Sequence, residues 1–390
     1  MRPRMLLNHL PTSKLLPGLI AFVFLFLLAE QSTAQHTRYV KPGGTGDGSS
    51  WAQASSDLQA MINSLDAGGD IWVARGTYKP NRKANAPNTV TPHNRDNAFV
   101  LRAYVKIYGG FNGSETKLEQ RNPDVNVTVL SGDFNGNDIP GNLSTYSENA
   151  YHVVVFGAEY ALGMLLDGLT IRGGNANGTG SITVNTRPIS RSHGGGIYIS
   201  EVSPGLTHLT VMNNAASDRG GGIYSEAFSS NIMHATIRGN RATNGGGIYI
   251  RSNTYSDLSY LVIRDNIGTH DGGGLYSYNS SPTLTNSLII GNEATNNMGG
   301  GLYFSASMPV LTNVTISRNK AKQGAGMAND TRPKGTYLVT TMLGTKEDGN
   351  VEKKEATVNM VLWTPAKDDE GQRYRSSTSF PVNKTPLIHK

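Results

Sequence analysis

Ala235-Thr236-Ile237-Arg238-Gly239-Asn240, followed five residues later by Gly245-Gly246-Gly247-Ile248-Tyr249-Ile250, carries the two signals that decide the fold. The glycine triplet with its aliphatic and tyrosine recurs from Gly194 with Ile197-Tyr198, from Gly220 with Ile223-Tyr224, from Gly272 with Leu275-Tyr276 and from Gly299 with Leu302-Tyr303. A decayed copy stands at Gly324-Ala325-Gly326-Met327. From Gly194 onward the starts are 26, 25, 27, 27 and 25 residues apart. Asn214, Asn240, Asn266, Asn292 and Asn319 keep the same period, each three residues after a β-branched aliphatic: Val211, Ile237, Ile263, Ile289 and Ile316. Two independent features sharing one period mark a solenoid.

Each unit reads as short strands separated by turns, with no helical periodicity. A unit this small cannot bury its apolar face alone. Stacking units about 4.8 Å apart places Ile237 over Ile263 over Ile289 in one continuous core. Glycine suits corners where the backbone takes positive φ or passes close to the next coil. The recurring asparagine tolerates left-handed geometry and can pass its amide to the copies above and below. The expected architecture is all-β: a right-handed parallel β-helix, or solenoid, with an N-terminal capping helix. Leucine-rich repeats would need a denser leucine pattern, and calcium-binding nonapeptide rolls a much shorter period.

Outward from the repeat the text divides into four parts. Residues 1–34, with Arg2, Arg4 and Lys14 before an apolar run and Ser32-Thr33-Ala34 after it, read as a secretory signal peptide cleaved after Ala34 or Gln35. Residues 35–97 read as an N-terminal cap and first coils. Leu58, Met61, Ile62 and Leu65 share one helix face behind a Ser or Asp cap, and Asp70-Ile71-Trp72-Val73 alternates as a first strand. Residues 98–327 form the β-helix, regular from 194. The stretches 82–97, 135–148 and 179–193 read as projecting loops. From 328 to 390 the text becomes charged and loses both repeat signals, as a disordered tail, a separate module or a truncation product would.

Composition narrows the function classes. The 46 glycines far exceed the usual share of about 7%. With no cysteine, neither a disulfide scaffold nor a lipoprotein anchor is available, and a metal site must use oxygen or histidine. Loss of the leader lowers the formal charge from +6 to +4 with no basic run, so nucleic acid is not expected as a partner. A monomer is expected, secreted, periplasmic or on the outer cell surface, with no transmembrane span after cleavage.

Tyr39-Val40-Lys41-Pro42, Gly48-Ser49-Ser50-Trp51, Gly69-Asp70-Ile71-Trp72-Val73-Ala74, Tyr108-Gly109-Gly110-Phe111 and Leu130-Ser131-Gly132-Asp133, together with the glycine-triplet units, resemble the pectin-lyase-like right-handed parallel β-helix repeat proteins. The resemblance is in particular to the large exported ones of the Bacteroidota, and the coils are also similar to repeats of polymorphic outer-membrane proteins. The resemblance covers residues 38–327. It implies the fold and leaves activity open, because the same solenoid hosts lyases, hydrolases, esterases and adhesins.

Lyases of that group gather carboxylates for calcium beside an arginine base, and the hydrolases pair aspartates across coils. In the regular coils no position carries an acid twice in succession, so no catalytic residue and no metal ligand is assigned there. Cofactors are expected to be none, with calcium only if the chain is a lyase. An active site, if there is one, is expected in the irregular segment around Asp133, Asp138, Glu148 and Asp167. Three columns should run along the stack. Tyr198, Tyr224, Tyr249, Tyr276 and Tyr303 form either an aromatic strip for sugar rings or a packing ladder. Arg238 and Arg264 could grip an anionic glycan or form a solvated pair relieved by Asp265. His208 and His234, continued by Tyr260, Asn286 and Asn313, place two imidazoles one above the other. The leading expectation is a non-enzymatic, adhesin-like or glycan-binding scaffold that contacts polysaccharide or other host or environmental surface polymers; the alternative is a polysaccharide lyase or glycoside hydrolase.

Overall fold

The computed structural model describes residues 36–157, 162–226, 229, 231–252 and 256–329, with the backbone of Thr336–Leu343 and Val361–Leu362. The expected signal peptide and most of the tail lie outside the described residues.

The repeat stacks as read. In the coil from Asp257 to Tyr278 the chain runs through Asp257–Ser259, bends at Tyr260, and continues through Val262–Arg264. It then turns at Asp265 into Ile267–Gly268 and passes the glycine triplet into Leu275–Tyr278. Each segment pairs in parallel with its equivalent one coil away, so the strands of successive coils build three parallel sheets. Ile237 faces Ile263, then Ile289, then Ile316. Leu206, Ile232, Leu258, Leu284 and Leu311 make a second inward column. All are buried, and each fully buried aliphatic contributes roughly 1.5–3 kcal/mol of transfer free energy. In the third sheet the buried positions are alanines: Ala176, Ala216 and Ala242 pack on one another.

The three glycines have different tasks. Gly245 sits at φ +65°, the left-handed region that an L side chain rarely adopts. Gly246 and Gly247 are needed for space. A Cβ on Gly246 would lie 2.3 Å from the Ile267 carbonyl oxygen, and one on Gly247 2.5 Å from that of Gly274. The asparagines form the expected ladder inside the turn. Asn266 Oδ1 accepts from the backbone N–H (3.0 Å) and Nδ2 (3.0 Å) of Asn240, while its own Nδ2 donates to the Ile237 carbonyl (2.8 Å) and to Asn292 Oδ1 (2.9 Å).

The N-terminal end is closed by helix Leu58–Asn63, capped by Asp57, whose Oδ1 accepts from Ala60 N. Leu58, Met61 and Ile62 enter the main core. Gln59, also buried, acts as a surrogate strand residue: its Oε1 accepts from Val100 N (2.8 Å) and its Nε2 donates to Val100 O (3.1 Å). That covers the first edge of the sheet carrying the tyrosines.

Two segments differ from the reading. Within the stretch expected to be a loop, Ser181–Val184 and Arg187–Ser190 form an antiparallel hairpin. Its turn residues Asn185 and Thr186 sit at φ +45° and +70°, the geometry of a two-residue hairpin turn. The parallel ladder also extends past 327: Met327–Asn329 pairs with Leu302–Phe304, and Thr336–Leu343 pairs with Val310–Ser317 with register shifts. Backbone pairing needs neither glycine triplet nor asparagine, the two signals used to place the boundary.

Candidate functional sites on the solenoid

The tyrosine column lies on the outer side of its sheet, yet it is buried. Tyr198, Tyr224, Tyr249 and Tyr303 are 1–6% exposed and Tyr276 is half-buried. Successive ring centroids are 4.8–5.8 Å apart. Ile182, Val184 and Ile189 of the hairpin join Tyr198, Tyr224 and Tyr249 in one apolar cluster. His193 lies 4.8 Å from the Tyr224 ring and the Arg219 guanidinium 5.4 Å from that of Tyr249. Burial pushes the Tyr198 phenol up to about 12. This corrects the sugar-strip reading: the rings cover one another, and the hairpin covers the N-terminal part of the column.

Arg238 and Arg264 stack as equivalent residues, both half-exposed. Arg264 is paired with Asp265 at 2.6 Å, and Arg238 Nη2 lies 3.0 Å from Met212 Sδ. The exposed column is the one headed by His208. The His208 and His234 rings stack at 5.2 Å, His234 and Tyr260 at 4.6 Å, and Asn313 Nδ2 donates to Asn286 Oδ1 at 2.7 Å. All five residues are exposed and all five are left-handed, with φ between +49° and +55°. Half-exposed Thr170, Thr210 and Thr236 line one flank, which continues as Val262, Leu288 and Thr315; the other flank runs through Thr207, exposed Met233, Ser259, Thr285 and Thr312.

At the N-terminal end of this column stands an oriented dyad. Asp167, buried, accepts from Arg121 Nη2 at 2.6 Å on Oδ2, while its Oδ1 lies 3.1 Å from His208 Nδ1. Arg121 is also 5.4 Å from the Tyr108 ring. A carboxylate on Nδ1 fixes the imidazole tautomer and leaves Nε2 to exchange protons. Asp167 and His208 fall on different coils, and Arg121 comes from an irregular loop.

Asp133, Asp138 and Glu148 are brought together, each with a carboxylate oxygen within 4.8 Å of the others. Asp133 organises the loop by accepting from the backbone N–H groups of Gly136, Asn137 and Asp138. Glu148 Oε1 accepts weakly from Asn135 N at 3.4 Å, and Asp138 Oδ2 accepts from Asn149 Nδ2 at 2.8 Å. Burial, reinforced by the neighbouring Asp133 and Glu148 charges, pushes the Asp138 carboxyl up to about 6, against the Asn149 hydrogen bond and the Arg172 charge. A Cβ on Gly173 would come within 3.1 Å of Asp138 Oδ2, so glycine there leaves the carboxylate its place.

Residues 167–339 match the family model for a right-handed β-helix region. The fold is a right-handed parallel β-helix. Among solved structures, the crystal structure of Escherichia coli YbhC is similar at 12% identity and a TM-score of 0.33, over 76% of this chain and 86% of that one. No curated protein matches the chain. No helix among the described residues is long and apolar enough to cross a membrane.

Of the residues singled out in the irregular part of the β-helix, three converge and Asp167 stands apart with Arg121 and His208. Arg121 and Asn149 carried no sequence signal, because each reaches its partner across a loop of irregular length. His208 stood out as half of a stacked pair, but its dyad with Asp167 depends on the coil between residues 167 and 208 being longer than the rest.

Proposed function

We propose that this chain is an exported, cell-surface β-helix that binds polymeric glycan without cleaving it, along the face centred on His208, His234, Tyr260, Asn286 and Asn313. The observation that carries this reading is the exposure of that column, with threonine and serine recurring on both sides of it among Met233, Val262 and Leu288. Imidazole, phenol and amide edges recur at the coil spacing of about 4.8 Å beside threonine and serine, a linear array of donors and acceptors for sugar hydroxyls. Arg238 and Arg264 border it and would favour an anionic chain. Export rests on the leader read from residues 1–34. The test is a glycan array probed with the full chain, beside His234→Ala and Tyr260→Ala variants. Saturable binding weakened at least tenfold in both variants is expected; a blank array accompanied by depolymerisation of any polysaccharide would sink the proposal.

A second reading, a polysaccharide lyase or hydrolase, is favoured by the Asp167–His208 dyad. Its signature is release of unsaturated product or reducing ends, abolished in Asp167→Asn. Product formation that survives this substitution unchanged would place the chemistry elsewhere.

A further inference from the structure

We propose that Asp133, Asp138, Glu148 and Asn149 form a binding site for a divalent cation of the hard, oxygen-preferring class, with calcium as the fitting member. Three carboxylates contribute three negative charges within one small volume, with Arg172 the basic group acting on Asp138. The second, independent observation is Asn149. It is fully buried, its amide lies 2.8 Å from Asp138 Oδ2, and its Oδ1 has no hydrogen-bond partner. Asp138 Oδ1 is likewise buried and unpartnered. A buried acceptor left unsatisfied is costly, so two of them on hydrogen-bonded neighbours need an explanation. A cation supplies it, because it binds carboxylate and amide oxygens together and offsets the three clustered charges, which a neutral donor would not.

The donor set selects the ion. All four groups offer oxygen, which suits calcium or magnesium and disfavours softer metals. Asp133 is partly committed to the N–H groups of its own loop, so the protein provides about four ligands of irregular geometry and water completes the shell. Calcium accepts six to eight oxygens flexibly, whereas magnesium demands a near-ideal octahedron. Asp133 follows the strand ending at Ser131, and Asn149 precedes Ala150, whose N–H returns to Gly132 O at 2.9 Å. A bound ion would therefore pin the projecting loop between them to the solenoid wall.

The experiment is a terbium titration of the full chain, read by luminescence sensitised through Tyr146, with calcium and then magnesium as competitors. One saturable site is expected, displaced by calcium at far lower concentration than by magnesium. Asp138→Asn and Glu148→Gln should each weaken it at least tenfold with an unchanged circular dichroism spectrum, and calcium should raise the melting temperature of the wild type but not of either variant. Glu148 is the safer position, since one long hydrogen bond is all that ties it to the loop. Absence of a saturable signal, or equal affinity in the wild type and a folded variant, overturns the site.

Discussion

At the residue scale, the corner positions show how strain and packing are balanced. His208, His234, Tyr260, Asn286 and Asn313 adopt left-handed backbone geometry, which costs an L residue about 1–2 kcal/mol. Glycine would avoid that cost but would leave no ring or amide to stack. The next corner shows the alternative: Gly239 and Gly291 lie under the side-chain oxygens of Asn213 and Asp265, 2.6 and 2.8 Å from where a Cβ would stand. His152 gives a prediction. It is 2% exposed, its Nδ1 lies 3.0 Å from Gly194 O, and its Nε2 has no partner. Burial lowers its pKa from 6.5 to about 4. The unfolded chain therefore takes up a proton between these values while the native chain does not, so the contribution is complete above about pH 6.5 and is lost as pH falls toward 4. The magnitude is about 3 kcal/mol. His152→Phe keeps a ring against Tyr198 and cannot titrate. Urea midpoints should fall less for the variant than for the wild type between about pH 7.5 and pH 4; parallel falls would refute the assignment.

At the element scale, the asparagine ladder behaves as a unit. Asn266→Ala would leave Asn240 N–H and the Ile237 carbonyl without their partners inside the turn, so a loss of roughly 3–5 kcal/mol is expected. Because Asn240 and Asn266 share a hydrogen bond, the Asn240→Ala/Asn266→Ala double variant should lose less than the sum of the two singles. Denaturant unfolding of the four proteins of the cycle measures this, and strict additivity would show that the rungs act separately. The ladder was legible in the sequence because its spacing repeats. The hairpin at 181–190 was not: Ile182 and Val184 alternate, but Asn185-Thr186 lacks the glycine that marks most two-residue turns. It is this hairpin that converts the first tyrosines from an outer strip into a buried cluster.

At the scale of the whole molecule, each coil contacts its neighbours and little else, so stability should be close to a sum over coils and their interfaces. Duplicating residues 266–291 inserts one coil in register, continues the asparagine ladder, and places a second glycine over Gly291 where no side chain intrudes. The longer chain should unfold cooperatively at a midpoint no lower than the wild type, with more strand signal by circular dichroism. A lower midpoint or a split transition would mean that the coils are not interchangeable. The projecting loops behave differently. They are the places where residues far apart in sequence meet, as Arg121 meets Asp167 and Asp133 meets Glu148.

The repeat, the inward columns, the asparagine ladder and the capping helix were determined by the sequence alone, because each depends on side-chain type recurring at a fixed period or on a local cap. Tertiary structure decided which columns face solvent and which acids converge. Burial of the first tyrosines depends on a hairpin that packs against them. The Asp133, Asp138, Glu148 and Asn149 cluster depends on an irregular loop returning to the solenoid wall, and no spacing in the chain records that closure.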